Sequence, residues 1–183
     1  KSGECELQNK TLEFGVTAQS FMAKEQNREI KNWGVISYDP SLCVLCEKCV
    51  HTCNEIIGDD AIEIKVGGYK SEIGPKNSDT LDCTFCGECI AVCPVGALAS
   101  TGFKYTSNAW ELRKVPSSCA HCSSACQLVY EVKHTGTEKC GQKIYRVTND
   151  FEFSSLCNAG RFGFDYENKA EKNPKAFEKA VSA

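Results

Sequence analysis

Fourteen cysteines among 183 residues are the side chains best able to do chemistry. They stand at Cys5, Cys43, Cys46, Cys49, Cys53, Cys83, Cys86, Cys89, Cys93, Cys119, Cys122, Cys126, Cys140 and Cys157. Eleven of them fall in three tight runs. Two environments account for such density, an oxidising one that forms disulfides or the binding of metal. Spacing separates the two. A Cys-x2-Cys pair puts two thiolates on one turn of backbone, aimed at a common centre. Secreted frameworks instead spread their cysteines so that each bridge closes a loop. The runs here point to metal.

A structural zinc site takes four ligands, usually as two separated pairs. Here Cys43-x2-Cys46-x2-Cys49-x3-Cys53 concentrates four thiols, and Cys83-x2-Cys86-x2-Cys89-x3-Cys93-Pro94 repeats the pattern forty residues later. That run is the signature of bacterial two-cluster ferredoxins, in which the fourth cysteine of each run serves the other cluster. The expectation is crossed ligation: Cys43, Cys46, Cys49 and Cys93 on one [4Fe–4S] cluster, and Cys53, Cys83, Cys86 and Cys89 on the other. A third set, Cys119-x2-Cys122-x3-Cys126 with Cys157 thirty-one residues on, completes the expected count of three [4Fe–4S] clusters. Zinc is the stronger rival there, because four thiols from two segments also suit a tetrahedral ion.

The other reactive residues read as bystanders. His51 and His121 lie inside cysteine runs that already have enough thiols, and His134 lies in a turn; all three are expected to face solvent or serve as outer donors. Cys140, apart from any run, is expected to be a structural or exposed thiol. Nothing resembles a substrate-binding or acid–base apparatus, so no catalytic site is expected within the chain. Net charge is −3, which argues against nucleic acid as a partner. Mean hydropathy is −0.33, and no apolar run approaches the ~18 residues of a membrane-spanning helix. No secretory leader is visible. The chain opens on Lys1 and its only methionine is Met22, so it is expected to be a piece of a longer protein.

Short elements must hold these thiols. Residues 1–33 read as a polar, extended or partly helical leader. Gly34–Tyr38 and Ala61–Val66 read as strands, Asp39-Pro40 as a turn, and 74–80 as a polar loop. Residues 34–100 contain an internal repeat of turn, cysteine run and short apolar strand, which predicts a pseudo-two-fold unit. So small a unit has little apolar surface, and metal clusters should act as its staples. Residues 101–118 read as a connector with Trp110 packed between two parts. The alternating stretches 127–133 and 143–148 read as a hairpin that returns the chain, so that 149–156 bring Cys157 beside Cys126. Asn173-Pro174 reads as a helix start.

With these motifs assembled, the chain resembles the iron–sulfur portion of the large G subunit of NADH–quinone oxidoreductase (complex I). Its kin include catalytic subunits of NAD-linked formate dehydrogenases and the accessory domain of iron-only hydrogenases. The resemblance is carried by Gly3-Glu4-Cys5-Glu6-Leu7-Gln8, Cys93-Pro94-Val95-Gly96-Ala97-Leu98, Trp110-Glu111-Leu112-Arg113-Lys114, and Cys157 through Gly163 with Phe164-Asp165-Tyr166. It implies that Cys5 is the last ligand of an upstream His/Cys-ligated cluster whose other ligands precede Lys1. Two departures stand out. Many subunits of this type keep one cluster in the ferredoxin-like part, whereas all eight cysteines are present here. Active molybdopterin enzymes usually carry Lys or Arg two residues after the fourth cysteine, where this chain has Ala159.

The expected fold is α+β and irregular: a ferredoxin-like two-[4Fe–4S] unit, then a small strand-rich molybdopterin-oxidoreductase-type 4Fe–4S domain. The expected divisions are 1–33, remnant of the upstream cluster region; 34–105, ferredoxin-like; 113–166, the third-cluster domain; and 167–183, the start of a further domain. The expected function is electron relay inside an NADH–quinone oxidoreductase-like complex. The partners would be other subunits and a protein electron donor and acceptor, touching the membrane only through those partners. The place would be the cytoplasm or the cytoplasmic face of the inner membrane. The alternatives are an iron–sulfur fragment of a molybdopterin formate dehydrogenase and a zinc-stapled interaction module.

Overall fold

A computed structural model describes residues 3–18, 28–136, 141–149, 154–165 and 168. The fold is α+β with short elements, as the composition implied. The expectations for Cys140 and for a helix at Asn173-Pro174 lie outside the described residues.

Among its described residues the leader is partly helical, as expected. Helix α1 (Glu6–Glu13) buries no side chain. Its local support is an acidic residue in the first turn and a Lys10–Glu13 ion pair of 2.7 Å. Strand β1 (Lys31–Trp33) was unforeseen, because only Trp33 of its three residues is buried. Trp33 stacks on Tyr38 with ring centroids 5.2 Å apart. Gly34, at φ +65°, opens the two-residue turn into β2 (Ile36–Tyr38), and Ile36 faces Trp33 in the antiparallel register.

Strand β2 also pairs antiparallel with β5 (Leu98–Ser100), which follows the second cysteine run. The strand that follows the first run, β3 (Ile62–Lys65), pairs with β4 (Glu72–Pro75). The expected loop at 74–80 therefore begins two residues late, since Gly74 and Pro75 close a strand opposite Glu63 and Ile62. Proline is tolerated there because a two-stranded ribbon is all edge. Between these sheets lies one core of Trp33, Ile36, Tyr38, Ile62, Ile73, Val95, Ala97 and Leu98, which also includes Cys49 and Cys93. Tyr38 is fully buried, and the Ile73 N–H donates to its hydroxyl at 3.0 Å, tying β4 to β2.

The second part is a three-stranded antiparallel sheet, β6 (Arg113–Ser118), β7 (Gln127–His134) and β8 (Gln142–Thr148). The alternation at 127–133 and 143–148 was legible. Strand β6 was not, because exposed Arg113, Lys114 and Pro116 form an edge. Trp110 is 67% exposed, so it does not fill an interdomain core as expected. It lies instead against Gly3. A small core of Cys119, Leu128, Val147 and Leu156 backs this sheet. Beside it, Arg146 is held between Glu131, at 2.6 Å from its Nε, and Glu4, at 2.9 Å from its Nη1, and it stacks on Phe103. Glu131 is buried, so the pairing is what permits its charge there.

Candidate metal centres

The two ferredoxin-type runs adopt one backbone twice. Leu45 and Phe85, two residues after the first cysteine of each run, are left-handed at φ +52° and +53°. Glu47 and Gly87, one residue after the second, are left-handed at +64° and +74°. Helices α2 (Lys48–His51) and α3 (Glu88–Ala91) then begin at matching positions. A left-handed non-glycine residue costs roughly 1–2 kcal/mol. What the turn gains is an N–H aimed at sulfur: Leu45 donates to Cys43 Sγ at 3.5 Å and Phe85 to Cys83 Sγ at 3.3 Å. Such nests of backbone N–H groups favour anions. After α2 the chain widens into a π-turn, Thr52–Ile57, which carries Cys53 and ends at left-handed Gly58.

These turns collect thiols across the repeat. Cys43, Cys46, Cys49 and Cys93 line a common small chamber, whose wall also includes Tyr38 and Ile73. Burial pushes the Cys49 thiol up to about 12, with Cys93, Cys43 and Cys46 adding like-charge repulsion. The other four are mutual neighbours: burial raises Cys89 well above its ordinary value, and Cys49, Cys86, Cys53 and Cys83 add to it. Burial likewise raises Cys53 and Cys83, each with Asp59 and Cys86 nearby. Asp59 accepts from the Thr84 N–H at 2.9 Å and from its hydroxyl at 2.7 Å, tying the segment after the first run to the start of the second.

Thiols are the donors that an iron–sulfur group takes from a protein. A zinc ion draws its thiolates in to about 2.3 Å. Four thiols spaced around a chamber, with N–H donors at the sulfurs, match what an iron–sulfur cluster takes from a protein.

The third set is built differently. The Cys119 N–H donates to the Cys126 carbonyl at 2.8 Å, closing the loop that carries Cys122. Cys122 is exposed, and hydrogen bonds from Ser124 and the Ala125 N–H lower its thiol pKa. Ala125 is itself left-handed, at φ +46°. Cys157 caps helix α4 (Asn158–Phe162), which packs on β8. The helix lies close to the loop: a Cβ on Gly160 would meet Cys119 Sγ at 3.5 Å, an ordinary contact distance. Within this set Cys119 is buried, Cys126 is half-buried, and Cys122 and Cys157 are exposed.

All three histidines are exposed. His51 pairs with Glu55 at 3.1 Å rather than joining a thiol set. Cys5 packs against the first core, and the neighbouring Glu6 N–H donates to the Pro94 carbonyl at 2.9 Å. Sequence reasoning missed the residues that join the second set to the third. Arg161 of α4, in the Asn-Ala-Gly-Arg-Phe-Gly stretch that follows Cys157, reaches fully buried Glu88 at 2.7 Å and the Cys86 carbonyl at 2.7 Å. A lone buried Glu between two cysteines had no signal to distinguish it from a surface charge.

Residues 34–99 match the family described as NADH-quinone oxidoreductase subunit 3, ferredoxin-like domain. The alpha subunit of NADPH-Fe(3+) oxidoreductase of Geobacter sulfurreducens is 36% identical over 93% of this chain and 20% of its own length. The G 2 subunit of NADH-quinone oxidoreductase of Rhizobium meliloti is 32% identical over 91% of this chain and 20% of its own. The G subunit of the Streptomyces coelicolor NADH-quinone oxidoreductase is 32% identical over 94% and 20%. The chain therefore spans about a fifth of the curated relatives it matches. Among solved structures, the NAD+-reducing [NiFe]-hydrogenase in its H2-reduced state aligns with a TM-score of 0.53 at 28% identity, over 59% of this chain and 48% of that one. The chain is thus similar over nearly its whole length to a segment of the G subunits of NADH-quinone oxidoreductases, and its residues 34–99 match the ferredoxin-like domain model of such subunits.

Proposed function

We propose that this chain relays electrons through three [4Fe–4S] clusters within a multi-subunit oxidoreductase of the NADH–quinone type. One cluster would be held by Cys43, Cys46, Cys49 and Cys93, the second by Cys53, Cys83, Cys86 and Cys89, and the third by Cys119, Cys122, Cys126 and Cys157. A bound cluster supplies one-electron redox chemistry. The chain's own residues do the rest. Leu45, Phe85 and Ala125 turn their N–H groups toward sulfur, Tyr38 and Ile73 shield the first chamber, and Asp59 ties the runs together. The observation that carries the reading is the chamber lined by Cys43, Cys46, Cys49 and Cys93, three thiols from one run and the last from the other. Two clusters then belong to residues 34–105 and the third to 113–166.

Partner subunits would supply and accept the electrons, and any membrane contact would run through them. Among the described residues no helix is long and apolar enough to cross a membrane. The cytoplasmic side is the matching location. The 36% identity to the alpha subunit of an NADPH-Fe(3+) oxidoreductase favours a second reading, the same relay delivering electrons to an acceptor other than quinone. Iron and acid-labile sulfide analysis of anaerobically prepared protein tests the proposal. About twelve irons per chain is expected from three cubanes; zinc in stoichiometric amount, with no sulfide, would overturn it.

A further inference from the structure

Arg161 is 5% exposed, and its guanidinium joins two regions more than sixty residues apart. Nη2 meets Glu88 Oε1 at 2.7 Å and Asn149 Oδ1 at 2.6 Å, and Nε donates to the Cys86 carbonyl at 2.7 Å. Glu88 Oε1 also accepts the Leu156 N–H at 2.8 Å, one residue before Cys157. Each end of the cluster is thus a neighbour of a proposed ligand, Cys86 on one side and Cys157 on the other. The Arg161 N–H itself donates to the Cys157 carbonyl at 3.0 Å.

Apolar packing could join these regions with less desolvation cost, since a buried ion pair is weak evidence for stability. What a planar guanidinium offers is direction: its forked donors fix angle as well as distance, which an ammonium does not. Gly87 leaves no room for play, because a side chain there would overlap Arg161 Cδ at 2.3 Å.

Resting on the cluster assignment above, we propose that Arg161 is a positioning residue that sets the separation between the second and third cysteine sets. It acts through Glu88 and the Cys86 carbonyl and touches no metal. The spacing it fixes decides how strongly the groups bound at the two sets sense each other, because dipolar coupling falls with the inverse cube of separation.

The test uses the full chain loaded with iron and sulfide, as Arg161→Met, Arg161→Lys and Asn149→Ala. In the dithionite-reduced protein, the electron paramagnetic resonance broadening between second and third sites should be lost in Arg161→Met at unchanged iron content. It should be partly regained in Arg161→Lys. Asn149→Ala, which keeps the Glu88 pair, should lose less. Wild-type broadening in Arg161→Met at full iron overturns the proposal. If Arg161→Met fails to load, wild-type broadening in both other variants does so. A second readout needs no metal: protection of the Leu156 amide against hydrogen exchange should fall on the order of a hundredfold in Arg161→Met. Unchanged protection also overturns the clamp. An iron-free wild type would instead sink the cluster assignment, leaving the amide measurement to judge Arg161.

Discussion

Replacing Gly87 with alanine should destabilise the protein by about 2–5 kcal/mol, and its positive φ accounts for only part of that. Gly87 sits at φ +74°, where an added Cβ costs roughly 1–2 kcal/mol. That Cβ would also lie 2.3 Å from Arg161 Cδ and 2.9 Å from Phe162 Cζ. Arg161 cannot swing aside without leaving Glu88 and the Cys86 carbonyl, so overpacking adds about 1–3 kcal/mol. Glu47 is the internal control. It occupies the equivalent left-handed position at φ +64° with a side chain already present, so Glu47→Ala should change stability by less than about 0.5 kcal/mol. Gly87→Asn separates the two causes, since asparagine tolerates the left-handed region but still brings a Cβ. Anaerobic thermal unfolding should place Gly87→Ala roughly 4–20 °C and Gly87→Asn roughly 2–12 °C below wild type. If Gly87→Asn melts with wild type, the conformation alone required glycine and the close-approach argument is wrong.

Four further outcomes follow from the same structure. Cys157→Ser should remove about four irons per chain; unchanged iron with the loss of one zinc would show that the third set holds zinc. Tyr38→Phe strips the acceptor from the buried Ile73 N–H and should cost about 1–3 kcal/mol in denaturant unfolding, so a neutral result would contradict the bond. Chelation or air oxidation should abolish cooperative unfolding of residues 34–100, and native amide protection in the apo chain would refute metal stapling. Glu111, held down to about 2 by the Asn108 N–H, Lys133 and Ser107, should support its turn fully above its ordinary carboxyl pKa of 4.5 and lose that support as pH falls through about 2. Glu111→Gln should remove this acid sensitivity, read by exchange at Asn108.

The cysteine arithmetic was legible because ligand spacing is a local property. The short strands after each run were legible for the same reason, through alternation at Ile62–Lys65 and an apolar start at Leu98. The bounds of α1 within the partly helical leader were not, since it buries nothing and so leaves no periodic stripe. Strands β1, β4 and β6 escaped notice because their partners, not their own side chains, make them strands. Trp110 misled by its type: a large aromatic suggested a core, yet it lies two-thirds exposed against a glycine. The Arg161–Glu88 junction was invisible because its meaning lies in a contact across seventy-three positions.

The leader has a consequence for how the chain comes apart. Glu4 bonds Arg146 across 142 positions, and the Glu6 N–H reaches Pro94, yet the helix between and beyond these ties has no core of its own. Contacts so distant along the chain form only after both larger parts exist, and a helix of eight residues does not persist alone in water. Residues 3–18 therefore fold last and open first, as a separate cooperative unit. Each opening would expose Cys5 and the Pro94 edge of the first chamber, adding a second route for solvent and oxidants to thiols that Cys46 already presents at the surface.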